Sequence, residues 1–253
     1  MRIVSHRANG FGFQENSIKA FVEALKSSIE TIEIDLRLTK DNVYVANHDP
    51  SFRKNLFRRF IHESDFKDIQ FRFHSIKSYL DLFQETPNKH LRLDIKDQGK
   101  EIELVKELKK RNLIDRVTII SWLPKVLENV RNVEPNIKTS FIFVPFMKTG
   151  SFRINAFLHH LKPLIFMDDL NLKNFNKKHA KGYSHIHLFS GLPDIDVDSF
   201  DIPHLFLNQR VLNMAKERDI PINVFTINNK HSYKKFLDLG INYLTTDNPS
   251  SFM

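Results

Sequence analysis

The chain has 253 residues, 41% hydrophobic and 27% charged, the balance of a globular protein that can bury a substantial core in one large domain or two small ones. No apolar run approaches the ~20 residues that span a bilayer, and the absence of cysteine excludes disulfides and thiolate metal sites. A net charge of +8 favours anionic partners, whether phosphoesters, nucleic acid or acidic membrane surfaces, without choosing among them.

Met1-Arg2-Ile3-Val4-Ser5 lacks the apolar core of a signal peptide and reads as a strand over 2–5, so a cytoplasmic location is the expectation. Residues 17–28 then place Ile18, Phe21, Val22 and Leu25 on one helical face, with Asn16 or Ser17 as N-cap. The segment 31–38 alternates cleanly, with Ile32, Ile34, Leu36 and Leu38 opposed to Glu33, Asp35 and Arg37. A strand over 43–47 and a helix over 75–84 follow. Strand 91–96 repeats the alternation, Leu91, Leu93 and Ile95 opposing Arg92, Asp94 and Lys96. Helix 100–111, strand 117–121, helix 124–131 and strand 139–144 come next. Between 145 and 205 the pattern offers only candidate strands at 164–167, 185–189 and 204–207. Regularity returns with helix 209–218, strand 222–227, helix 230–239 and strand 242–245. No linker or repeat divides the chain, so residues 1–253 are expected to form a single domain. About eight strand–helix alternations in ~250 residues is the size of a (β/α)8 TIM barrel. An open doubly wound sheet competes, but no glycine-rich phosphate loop supports it.

In a barrel, helices cover the apolar parity of each strand and the polar parity turns inward. Glu33 and Asp35 would then point to the axis roughly 7 Å apart, a gap that one cation bridges. Two buried carboxylates need such a cation, a basic neighbour or water. Asp41-Asn42 signals a tight turn; pairing Lys40 with Val43 brings His48 opposite Asp35, with an error of about one residue. His6 closes the first strand at the same C-terminal rim, where barrel enzymes keep their sites. Asp94 and Lys96 add a carboxylate and a cation. Arg7 can grip a phosphate, and two histidines can pass protons in opposite directions.

These residues, in this order, resemble the glycerophosphodiester phosphodiesterases. The resemblance rests on His6-Arg7 with Gly10, Glu15-Asn16-Ser17, Ile32-Glu33-Ile34-Asp35, Thr39-Lys40-Asp41, His48-Asp49, Leu93-Asp94-Ile95-Lys96, Val224-Phe225-Thr226-Ile227-Asn228 and Thr246-Asp247-Asn248-Pro249. It fades between about 145 and 205. It implies a TIM barrel that hydrolyses a small-molecule glycerophosphodiester to an alcohol and glycerol 3-phosphate with one divalent cation, Mg²⁺ or Ca²⁺. Glu33, Asp35 and Asp94 correspond to the metal ligands, His6 and His48 to the general acid/base pair, and Arg7 and Lys96 to phosphate contacts. Asp94 stands where glutamate is usual, Phe225 where tryptophan is common, and Ala8-Asn9 separate His6-Arg7 from the glycine that normally follows directly.

Other readings stay open. A phospholipase of the same barrel type would act on a lysolipid or sphingolipid head group, and a non-catalytic barrel would bind anions without turnover. Arg7 could serve only Glu15 or Asp35, and Asp94 with Lys96 could be a structural ion pair. The run Arg53-Lys54 and Arg58-Arg59, interleaved with Phe52, Phe57 and Phe60, reads as solvated charge over a local apolar cluster, with nucleic acid or lipid head groups as the alternatives. No nucleic-acid partner is expected, since no recognition motif accompanies the charge, and membrane contact would be transient. His159, His160, His185 and His187 read as structural, and Trp122 as core or pocket mouth.

Overall fold

The computed structural model describes residues 2–54, 57–145, 188–189 and 192–252. Eight parallel strands close into a barrel: β1 (Arg2–Ser5), β2 (Thr31–Leu38), β6 (His90–Ile95), β7 (Val117–Ser121), β8 (Lys138–Ile142), β11 (Ser199–Pro203), β12 (Ile222–Phe225) and β13 (Tyr243–Thr246). Closure is direct. β1 pairs with β13, Ser5 opposite Thr246, and also with β2, Ser5 opposite Ile32. Sequential strands are spatial neighbours all the way round, as right-handed crossovers dictate.

Local chemistry sets the helices. Ser17 Oγ accepts from Ala20 N to start α1 (Ile18–Lys26), which buries Ala20, Phe21, Ala24 and Leu25 on one stripe. Phe21 meets Tyr79 of α3 (Ile76–Gln84) edge to face at 5.2 Å. α4 (Glu101–Lys110) follows β6, and α5 (Pro124–Val133) opens on a proline whose missing N–H costs nothing at a first turn. Near the C-terminus, Asn208 caps α6 (Gln209–Glu217) and Asn229 caps α7 (Lys230–Asp238) through their side-chain oxygens. All eight residues of β2 are buried, apolar toward the helices and polar toward the axis, which is the parity expected of a barrel strand.

Between β2 and α3 lies an excursion. β3 (Tyr44–Ala46) returns antiparallel to β2, β4 (Ser51–Lys54) and β5 (Phe57–Phe60) form a separate hairpin, and a short helix α2 (Phe66–Ile69) leads back. The first turn differs from the expected two-residue one. Thr39 N donates to Val43 O, and Asn42 takes φ 65°, so three residues form the loop and Asp35 faces Asn47 rather than His48. Asn42 tolerates the left-handed conformation that a three-residue turn requires, and the register moves by one.

The difficult middle also needs correction. No strand forms over 204–207, where residues 204–206 turn; the strand lies just before, at β11. Its alternation of Ser199 and Asp201 with Phe200 and Ile202 is that of a barrel strand, and the preceding acidic residues obscure its start. Of the expected strand 185–189, Leu188–Phe189 (β10) pairs in parallel with Val144–Pro145 (β9). The expected strand 164–167 and His159, His160, His185 and His187 lie outside the described residues.

Candidate active site

The barrel interior is polar, and a buried network forms a floor beneath the C-terminal mouth. Arg92 Nη2 donates to Asp201 Oδ2 at 2.6 Å, while Ser140 and Asn223 also donate to Asp201. Thr245 Oγ1 completes the network with Asn223 at 2.9 Å. Each charge is matched, as burial demands. Sequence reading did not single out Asp201, because its partners come from three other strands.

Above this floor stand the acids. One oxygen from each of Glu33, Asp35 and Asp94 lies within 4.8 Å of the others, all three side chains buried. Lys96, one residue beyond β6, bridges two of them, with Nζ 2.9 Å from Asp35 Oδ1 and in short contact with Asp94 Oδ2. Asn16 locks Asp35 from the other side. Its Nδ2 donates to Asp35 Oδ2 at 2.8 Å, and its Oδ1 accepts from Asp35 N at 3.0 Å. Asn16 holds φ 55°, and Tyr79 OH donates to its carbonyl at 2.6 Å.

The loop after β1 supplies the next groups. Arg7 and Ala8 both adopt φ 54°, turning the chain so that Arg7 N donates to Glu33 Oε2 at 2.7 Å. Left-handed backbone at two such residues is strained by about 1 kcal/mol or more each. Asn16 N holds it by donating to Arg7 O at 2.7 Å, and Gly10 packs so tightly that a Cβ there would lie 2.3 Å from Pro249 Cδ. That contact is how the loop closes with its glycine displaced. The Arg7 guanidinium reaches Glu15 Oε1 at 3.0 Å and Asp35 Oδ2 at 3.2 Å. Both carboxylate partners foreseen for it are therefore present.

Two imidazoles flank the acids. His6 Nδ1 lies 2.6 Å from Asp247 Oδ1, and Asn228 Nδ2 donates to the other oxygen of that carboxylate at 2.7 Å. Desolvation tends to raise the Asp247 carboxyl, but its bonds to His6 and Asn228 hold it below the usual range. His48 Nδ1 lies 2.9 Å from Asp49 Oδ1, and its carbonyl accepts from Arg37 Nε at 2.8 Å. In each ring a carboxylate engages Nδ1, which assigns the proton there and leaves Nε2 as the working atom. Burial pushes His48 down to about 4 against the pull of Asp35, with Lys96 and Arg7 adding to the effect. A neutral imidazole results near neutral pH.

The carboxylates divide by neighbour. Burial pushes Asp35 up, but Lys96, His48, Arg7 and His6 outweigh it and hold the group well below the usual range. Glu33 is raised well above it, first by burial and then by repulsion from Asp35 and Asp94. Asp94 is raised by burial too, and its Oδ1 is buried with no hydrogen-bond partner. With all three acids ionised, the cations of Arg7 and Lys96 leave the cluster one positive charge short, and that excess of negative charge is part of what raises Glu33 and Asp94. Hard oxygen donors, an orphaned carboxylate oxygen and that deficit together suit Mg²⁺ or Ca²⁺.

All seven residues singled out from the sequence thus sit at one end of the barrel. Asp247, Asn228 and Asn16 join them; all three belong to motifs legible in the chain, but the pairing of Asp247 with His6 and Asn228, and of Asn16 with Asp35, is a tertiary fact.

Comparison with known proteins finds relatives of one family. The model of the glycerophosphoryl diester phosphodiesterase family matches residues 6–71. A glycerophosphodiester phosphodiesterase of Caldanaerobacter subterraneus is 25% identical over 160 residues, covering 56% of this chain and 66% of that protein. A human lysophospholipase D is 26% identical over 165 residues, 56% of this chain and 51% of that one. These matches span roughly half to two-thirds of the relatives' length. Among solved structures, an Oleispira antarctica phosphodiesterase in complex with the product sn-glycerol-3-phosphate superposes with a TM-score of 0.68 at 16% identity, covering 99% of this chain and 94% of that one.

Proposed function

We propose that the chain is a member of the glycerophosphodiester phosphodiesterase family and that it hydrolyses glycerophosphodiesters to an alcohol and glycerol 3-phosphate by histidine acid/base catalysis. The observation that carries the reading is convergence: His6 and His48, each with Nδ1 tied to its own carboxylate, flank Glu33, Asp35 and Asp94 at the strand ends.

Glu33, Asp35 and Asp94 would hold one divalent cation. When bound, that cation would polarise the phosphoryl oxygens and lower the barrier to attack. Arg7 and Lys96 neutralise the substrate's phosphate from opposite sides of the cluster. In this reading their ties to Glu15, Asp35 and Asp94 keep them in place before substrate arrives. His48, neutral at pH 7, accepts the proton of the attacking water at Nε2 as its oxygen bonds to phosphorus. His6, backed by Asp247, gives a proton to the leaving alcohol oxygen. Asn16 holds Asp35 against rotation, and the buried floor of Arg92 and Asp201 keeps bulk water from entering below.

A second reading keeps this chemistry and changes the substrate. The similarity to a human lysophospholipase D supports a lysolipid in place of a free glycerophosphodiester.

The test is hydrolysis of glycerophosphocholine and lysophosphatidylcholine with Mg²⁺, Ca²⁺ or chelator, beside His6→Ala and His48→Ala. We expect cation-dependent turnover and a loss of at least about 100-fold in either variant. The preferred substrate separates the two readings. Phosphate binding without turnover would leave only an anion-binding barrel, and a fully active double mutant would end the assignment.

A further inference from the structure

The hairpin outside the barrel carries chemistry that the candidate site does not use. In β4 and β5 Phe52 stands opposite Arg59, Arg53 opposite Arg58 and Lys54 opposite Phe57. Phe52 is buried with Val45, Ile61, Ile69 and Phe73, meeting the Phe73 ring edge to face at 5.1 Å. This small core is a fixed platform, and Ile61 N closes the hairpin's base by donating to Pro50 O at 2.9 Å.

Beyond the platform the surface is cationic and aromatic. Phe57 and Phe71 are 74% and 70% exposed, the most exposed large hydrophobic side chains among the described residues. Lys54 Nζ lies 5.3 Å from the Phe71 ring centroid and is the cross-strand partner of Phe57, which gathers both rings at one corner. Arg53 and Arg58 sit directly opposite one another, a like-charge pairing that destabilises a ribbon. Among the described residues no carboxylate forms an ion pair with Arg53, Arg58 or Arg59. Cross-strand partners share a face, so Arg53 and Arg58 stand on one face of the ribbon and Lys54, Phe57 and Arg59 on the other. Docked edge-on, uncompensated cations flank the exposed rings, a pattern complementary to a surface that is both anionic and apolar.

We infer that β4, β5 and Phe71 form a docking surface for anionic phospholipid bilayers. Arg53, Arg58 and Arg59 meet lipid phosphates, and Phe57 and Phe71 enter the boundary between head groups and acyl chains. A two-stranded ribbon suits a flat bilayer better than single-stranded nucleic acid, which is held in grooves with stacking platforms. Pro50 alone separates the hairpin from Asp49, the partner of His48, so docking sets the barrel mouth beside the lipid surface. The docking holds whether or not the site hydrolyses anything.

Co-sedimentation of the full chain with vesicles tests it. We expect binding to phosphatidylcholine vesicles containing phosphatidylserine, none to phosphatidylcholine alone, and release at high salt. Arg53→Gln with Arg58→Gln should weaken binding at least about tenfold, since each cation near such a surface counts for about fivefold. Phe57→Ser with Phe71→Ser should weaken it at unchanged salt dependence, and circular dichroism melting should show both variants folded. Equal binding to both vesicle types, no binding to either, or unchanged binding by the folded arginine variant would overturn the inference. So would oligonucleotide binding that needs the arginines while the phenylalanine variant keeps full vesicle binding.

Discussion

Asp247 Oδ1 and His6 Nδ1 lie 2.6 Å apart although 241 positions separate the two residues. The contact exists because β1 and β13 are neighbours in the closed sheet, so the residues just beyond their C-terminal ends meet. An imidazole so tied has one tautomer and one orientation.

Asp247→Asn should therefore lower kcat by about tenfold or more, with KM little changed, because the ring loses its orienting carboxylate but the phosphate contacts remain. The acidic or basic limb of the kcat profile should also move. A purely structural role would leave that profile in place and lower only the melting temperature.

Glu33 is raised by burial and by two neighbouring carboxylates. Glu33→Gln keeps an oxygen to accept from Arg7 N while removing the repulsion, so without added cation it should raise Tm. Mg²⁺ or Ca²⁺ should raise the Tm of the natural protein, by about 2.7 kcal/mol of stability at a hundredfold excess over Kd, and the variant should lose most of that gain. Thermal melts with cation and with chelator check both signs.

Asn16 combines a left-handed backbone with two hydrogen bonds to Asp35. Asn16→Ala should cost about 2–3 kcal/mol, from strain and from leaving Asp35 atoms unpaired. Asn16→Gly should recover the backbone part alone. Denaturant unfolding of the pair separates the two contributions, and equal losses would show the backbone to be irrelevant.

At the opposite end, His90 Nε2 lies 2.9 Å from Thr118 Oγ1, and burial, Arg92 and Lys138 lower its pKa from 6.5 to about 4. The unfolded chain thus binds a proton that the folded chain refuses between these values. Stability should fall as pH drops from about 6.5 toward 4, with no contribution from this residue above that window. His90→Gln should flatten this part of the profile in denaturant titrations at pH about 7 and about 5.

Much of this protein was readable from the chain because its strands obey a period of two. Alternation placed Glu33 and Asp35 on one face of 31–38, and Asp94 with Lys96 on one face of 91–96, and the structure puts both strands there within a residue. Where local pattern weakened, reading failed. An acidic run hid β11, and the 39–43 turn took three residues because Asn42 accepts a positive φ that no alternation signals.

Residue types, strand parity and the order of the candidate acids and imidazoles are properties of the sequence itself, since each depends on neighbours a few positions away. Tertiary structure alone decided that Asp247 backs His6, that Asn16 braces Asp35, that Lys96 stands between two acids, and that Arg92 finds Asp201 across the barrel. Those pairings require the sheet to close, and closure brings together groups whose separation along the chain carries no trace of their distance in space.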